Sequence, residues 1–271
     1  MMSARSELPA DLPQLAELGY DLLETSLRQR ILNMSRPFLW AGAYWIFAAL
    51  GWWPLAIIAV MLLFITIVAS AHDLVHNALG LPSWLNDILL AGIGMLVLES
   101  GHAYKATHLQ HHRMFPHQDD PEGDPARMGF WRAVAEGPIF LFRLWLWAWR
   151  HRPQLRRWLF LEAFWFISSV CLSLFAWPYT AAPLIYVGLV IGGSWIYPLS
   201  TVHLPHNAGG KNALFQTYTL RGRIIPMLFL ELTYHLEHHL YPAVPSHRYR
   251  ELSRRLQPYL DRAGVKPVKV W

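Results

Sequence analysis

Eight of the 14 histidines fall into three sets: His72 with His76, His108 with His111 and His112, and His235 with His238 and His239. Residues three and four apart share one face of a helix, so each set presents its imidazoles together. His203 and His206 form a possible fourth set. Converging imidazoles bind metal ions. Eight exceed the three or four protein ligands of a usual zinc site, so two metals share them more naturally. Imidazole suits Fe, Zn, Cu and Ni alike, and ligand type alone does not choose among them. The chain has no H-E-x-x-H, which disfavours a zinc peptidase. Its histidines flank apolar segments at one end, whereas a haem shuttle needs them aimed at a ring between spans. The paired Glu-x-x-His scheme of soluble di-iron bundles is also missing.

Acidic residues near these sets are candidates to hold the rings in place. Asp73 and Glu237 lie inside the first and third sets, and Asp119, Asp120 and Asp124 follow the second. A carboxylate that accepts from the outer nitrogen of a ligating imidazole fixes its tautomer and orientation; the last three acids alternatively cap a turn. His102, His117, His151 and His247 fall outside the sets and read as structural.

The elements that must bring these sets together are apolar. Of 271 residues 54% are hydrophobic and 14 are Trp, and mean hydropathy is +0.22. No Asp, Glu, Lys or Arg occurs between Phe38 and Ala71, and only Glu162 between Leu159 and Val202. Such blocks divide into spans of bilayer length. The reading is an all-α integral membrane protein of about four transmembrane helices, with a cytoplasmic helical cap holding a histidine-rich dimetal site. Residues 11–34 have leucines at helical intervals and predict an amphipathic helix along the membrane surface. Spans are expected at Phe38–Leu50, Leu55–Ala71, Leu159–Trp177 and Leu184–Val202, with turns at GWWP and PYTAAP. Leu85–Leu98 is too short to cross and predicts a re-entrant or interfacial helix. The stretch from Gln118 is loop, Phe130–Arg152 reads as an interfacial helix rich in Trp and Arg, and Ile224–Thr233 as a further apolar helix. YPAVP after the third set is expected to turn the chain away from the site, and residues from His247 form a polar region. Three segments result: 1–37, amphipathic; 38–256, the membrane domain; and 257–271, a polar tail.

The N-terminus carries acids and no immediate apolar run, so the first span is expected to do its own targeting. Both outer turns lack charge, while Arg28, Arg30, Arg36, Arg150, Arg152, Arg156 and Arg157 fall on the other side. By the positive-inside rule the histidine sets and both termini face the cytoplasm, in a bacterial inner (plasma) membrane. The single cysteine, Cys171, excludes an intrachain disulfide and a cysteine-ligated iron–sulfur cluster. A net charge of +5 without any finger, basic helix or RNA-binding signature implies no nucleic acid.

AHDLVH, THLQHH and YHLEHHLYPAVP resemble the three histidine boxes of the membrane fatty acid desaturase superfamily, which includes carotenoid hydroxylases and ketolases. The likeness in motif order and span layout runs from about Phe38 to Leu256. It implies a non-haem di-iron centre that activates dioxygen, held by His72, His76, His108, His111, His112, His235, His238 and His239. TVHLPHNAG resembles the Leu-Pro-His stretch of carotenoid ketolases, which implies His206 as a further ligand with His203 as the alternate. Asn207 is a candidate to bridge through water. The implied reaction is dioxygen-dependent oxidation of an unactivated C–H bond in a long-chain lipid or carotenoid. Desaturation of a fatty acyl chain leads; carotenoid ring hydroxylation or ketolation, or hydroxylation of another lipid, follows; a non-enzymatic metal-binding membrane protein is the distant alternative. With no cysteine cluster, dinucleotide fingerprint or HPGG segment, electrons must come from a separate ferredoxin-like or cytochrome-type donor, for which the arginine-rich tail is a plausible patch.

Overall fold

A computed structural model of the chain describes residues 12–224 and 233–270. The expected apolar helix Ile224–Thr233 falls, but for its two end residues, outside the described residues. Short helix α1 (Leu15–Leu18) precedes a long hairpin of α2 (Leu27–Ala49) and α3 (Trp53–Val75). Ser26 starts α2 with a reciprocal cap: its hydroxyl accepts from the Gln29 amide, and its own amide donates to Gln29 Oε1 at 2.8 Å. The helix then runs through Pro37. Proline removes the amide that would bond the Asn33 carbonyl, and Ser70 Oγ of α3 stands 2.8 Å from that oxygen instead. The expected division into a surface helix over 11–34 and a span from Phe38 is thereby corrected. Of the described residues upstream of Ser26, Leu12, Leu18 and Leu22 are buried against Leu252 and Leu256 near the C-terminus.

Helix α3 continues past Ala71, carrying His72 in its last turn with His76 as its C-cap. Next come α4 (Ser83–Leu96) and α5 (Gly101–Met114), bent by 109° over a four-residue break. The bend depends on glycine at two close approaches. A Cβ on Gly94 or Gly101 would run into neighbouring backbone, at Glu99 and Leu90 respectively. The chain thus reverses much of its direction between α4 and α5, in the form of a broken span or a re-entrant pair. The aromatic segment splits into α6 (Phe130–Ala135) and α7 (Gly137–His151), because Gly137 lies against the Trp195 backbone. α8 (Arg156–Ala176) and α9 (Ala182–Ser194) follow, and α9 leads into a π-helical turn, Pro198–His203.

Among the described residues three helical stretches are long and apolar enough to cross a membrane, Trp53–Val75, Pro153–Ala176 and Ala182–His203, and the bent α4–α5 pair makes a fourth candidate. The expected first span is instead the second half of α2, whose other half carries Arg28, Arg30 and Arg36. α8 exposes Phe160, Phe164, Ile167, Leu172 and Phe175, an apolar face suited to lipid.

A helical cap closes one end. It contains α10 (His235–Leu240) and α11 (Tyr249–Arg262), with a two-residue parallel pairing of β1 (Leu220–Arg221) and β2 (Val268–Lys269). α11 is amphipathic and buries Leu252, Leu256 and Leu260, so the region after His247 is a packed helix and not simply a polar tail. α2 runs through residue 37 and α11 through residue 256. Two tail arginines are also engaged: Arg254 pairs with Glu251, and Arg255 with Glu251 and Asp21.

Gly101→Ala is expected to lower the thermal unfolding midpoint in detergent, at a cost of about 1–3 kcal/mol for overpacking. Gly42→Ala, which meets nothing within 4 Å, leaves it unchanged. Equal midpoints for the two variants would contradict the close α4–α5 approach.

Candidate metal centre

Four elements carry nine imidazoles to one place. α3 supplies His72 and His76 at its end, α5 supplies His108, His111 and His112, the turn after Pro198–His203 supplies His206, and α10 supplies His235, His238 and His239. His72, His76, His108 and His238 form one group able to hold an ion; His111, His206 and His239 form a second; His112, His238 and His239 form a third between them.

The contacts are made ring nitrogen to ring nitrogen. His72 Nε2 is 2.9 Å from His238 Nε2, and His238 Nε2 is 2.7 Å from His112 Nε2. His206 Nε2 meets three others: His111 at 2.8 Å, His235 at 3.0 Å and His239 at 3.2 Å. A neutral imidazole has one N–H and one lone pair, so hydrogen bonds cannot satisfy four Nε2 atoms around one point. Lone pairs aimed at a common centre suit a cation.

The outer nitrogens show where the protons are. His111 Nδ1 faces Asp120 Oδ2 at 2.7 Å, His108 Nδ1 faces Glu122 Oε2 at 3.3 Å, and His206 Nδ1 faces the Val202 carbonyl at 2.8 Å. These partners are acceptors, so Nδ1 carries the hydrogen and Nε2 keeps its lone pair. His238 Nδ1 lies 2.9 Å from Tyr249 Oη. Among the described residues His76 Nε2 is buried without any hydrogen-bond partner. Burial first, and neighbouring histidines second, hold His206, His235, His238 and His239 well below the usual histidine value. Around neutral pH these rings are therefore uncharged, the state a ligand requires. Burial pushes Glu122 up to about 7, against the opposing pull of His111. Ring nitrogens converging on shared points, with acceptors behind several of the rings, fit a metal.

The residues singled out from sequence separate clearly. His206 joins the cluster; His203 turns away, with Nδ1 3.0 Å from the Pro125 carbonyl. Asp120 stands behind a ring, whereas Asp124 pairs with Arg127 and Arg143, and Asp119 lies exposed beside His117. Glu237 does not hold a ring: its carboxyl accepts from Thr219 at 2.7 Å and lies beside Ser253. Asp73 accepts from Asn33 and from both the amide and hydroxyl of Ser246. It ties α2 and α3 to the segment before α11. Asn207 bonds Phe215 and Gly209 and shapes a turn. YPAVP returns the chain to the site, since Ser246 reaches Asp73 and Tyr249 reaches His238. Sequence reasoning missed Glu122 and Tyr249. Glu122 sits among three aspartates in one loop, and nothing in spacing distinguishes it. His102 is structural as expected, bonded through Nδ1 to Glu162 and stacked on Trp158.

An apolar cleft of about 270 Å³ runs between α3, α4, α5 and α9, lined by Phe64, Ile67, Leu90, Ile93 and Val97 among others. Tyr104, Tyr197, Thr201 and Val68 border both this cleft and a smaller one that reaches His72, His108 and His235. Tyr197 also donates to Glu122 at 3.0 Å.

Helices able to cross a membrane, capped by a buried histidine cage beside an apolar cleft, define a membrane protein built to work on long hydrophobic molecules. The fatty acid desaturase family model matches residues 48–271, and the chain belongs to that family. It is accordingly an oxidoreductase of desaturase type with a lipid substrate. No curated protein matches the chain.

Asp120→Ala is expected to weaken binding of added Co(II) or Fe(II) to the metal-stripped protein by about 10–100-fold. His203→Ala should leave it unchanged. Calorimetric titration measures both, and equal effects would remove Asp120 from its position behind His111.

Proposed function

We propose that the chain uses dioxygen and two iron ions to oxidise an unactivated C–H bond of a long hydrophobic substrate, with desaturation of a fatty acyl chain as the leading reaction. The observation that carries this reading is the convergence of nine imidazoles beside an apolar cleft. His72, His76, His108 and His238 would hold one ion, His111, His206, His235 and His239 the other, with His112 between them. Iron bound there supplies the oxygen activation and C–H cleavage that side chains alone cannot. In desaturation the substrate loses two vicinal hydrogens, and dioxygen takes these with two electrons and two further protons to give two waters.

The chain's own residues bind and orient. The apolar walls hold an extended hydrocarbon and exclude bulk water, while Tyr104 and Tyr197 border the passage to the histidines. Asp120 and Glu122 keep the Nδ1 protons of His111 and His108 directed outward. Two electrons come from a separate ferredoxin-like or cytochrome-type donor docking on the histidine side. That side faces the cytoplasm in this reading. Arg152, at the α7–α8 junction, bonds Gln110 beside His111, which supports the clustering of basic residues near the histidines. Carotenoid ring hydroxylation or ketolation is the second reading. It draws on the Leu-Pro-His stretch, whose His206 rather than His203 enters the cluster.

Purified protein is expected to hold about two irons per chain, and His108→Ala or His239→Ala to lower that; full retention in both variants would sink the di-iron reading. Lipid and pigment profiling of cells expressing the chain with a compatible donor, with and without β-carotene, separates the reactions. Desaturation removes two hydrogens, hydroxylation adds one oxygen, and ketolation adds an oxygen while removing two hydrogens.

A further inference from the structure

One carboxyl lines the apolar cleft and has no part in the histidine cage. Glu99 lies in the break between α4 and α5, and its Oε1 is 2.6 Å from Ser194 Oγ at the end of α9. Among the described residues no Lys, Arg or His forms an ion pair with it. Burying a polar group in apolar surroundings is costly unless it finds a hydrogen-bond partner. Glu99 has one such partner for one oxygen, and its residue is only half-buried, with the remaining surface turned to the cleft.

Its height is fixed by two helices independently. Ser100, the next residue, stands eight positions before His108 on α5; Phe64, which packs against Gly193 beside Ser194, stands eight before His72 on α3. At 1.5 Å per helical residue both intervals put the Glu99–Ser194 pair about 12 Å from the histidine level. Between them the cleft walls are aromatic and aliphatic apart from small hydroxyls. With carbon–carbon bonds near 1.5 Å in zigzag, that length corresponds to about ten bonds of extended hydrocarbon.

We propose that Glu99 and Ser194 select a substrate carrying a hydroxyl group about ten carbon–carbon bonds from the carbon that is oxidised. A hydroxyl can both donate to the Glu99 carboxyl and accept from Ser194. A plain hydrocarbon would leave the carboxyl facing methylenes. The proposal rests on the reading of this cleft as the substrate site, and it narrows the substrate class to lipids with a hydroxyl at the end remote from the metal centre.

The test is competitive binding in detergent, read by native mass spectrometry, with methyl hexadecanoate and methyl 16-hydroxyhexadecanoate at equal mole fraction. One hydrogen bond is worth about 1 kcal/mol, so the protein should favour the hydroxylated ester by about fivefold. Glu99→Leu is expected to abolish or reverse that preference while keeping the iron content of the unaltered protein, since the residue is remote from the histidines. Ser194→Ala, a smaller change, should reduce the preference. Should Glu99→Leu fail to fold, Ser194→Ala decides the matter alone. Binding of both esters without preference, or the same preference in protein and variants, overturns the role of Glu99 and leaves the cleft reading intact. Binding of neither ester by iron-loaded protein overturns the cleft reading and this proposal together.

Discussion

The structure depends on gathering nine imidazoles and aiming them inward in a space that excludes water. A protonated ring in such a cluster would face both desolvation and the repulsion of its neighbours, and burial accordingly holds His206, His235, His238 and His239 well below their usual values. A ring that turns its lone pair inward holds its proton on the outer nitrogen, and an acceptor behind it fixes that state. Asp120, Glu122 and the Val202 carbonyl meet that requirement from a loop and a helix end. The acceptors are as much a part of the cage as the rings.

Much of the remaining fold serves the approach of four separate elements to that point. α3 remains helical past its apolar run, so His72 and His76 project at its end. The bent α4–α5 pair brings the second histidine set to the same level, and two glycines permit the bend. Asp73 links α2 and α3 to Ser246, and the short helix that follows brings Tyr249 behind His238. The cap is thereby tied to the membrane helices by polar contacts beside the cage, while its own leucine core, shared with residues near the N-terminus, closes its far side.

The apolar cleft is a consequence of the same layout. Helices that converge at the cage end leave space lower down between α3, α4, α5 and α9, and that space is bordered by side chains of the right character for a hydrocarbon. Membership of the fatty acid desaturase family agrees with a cage and a cleft in this relation. In the proposed reading the chemistry falls to metal ions held by the cage, and reach and selectivity to the cleft.

The sequence alone determined the histidine sets, because three- and four-residue spacing on a helix decides which rings share a face before any packing occurs. It also determined the membrane character and three of the long apolar helices, because runs without charge reveal themselves in composition. It could not assign the acids. Asp120 and Glu122 lie behind rings while Asp119 and Asp124 do not, yet all four occupy one loop whose conformation depends on α5, α7 and the Pro198–His203 turn. Nor could it place α2, which runs through Pro37 with Ser70 of the neighbouring helix beside the freed Asn33 carbonyl. Only tertiary structure chose His206 over His203, turned YPAVP back toward the cage and set Glu237 away from it. The physical reason is the same in each case: local spacing orients a side chain on its own helix, whereas its partner arrives from residues far away in the chain.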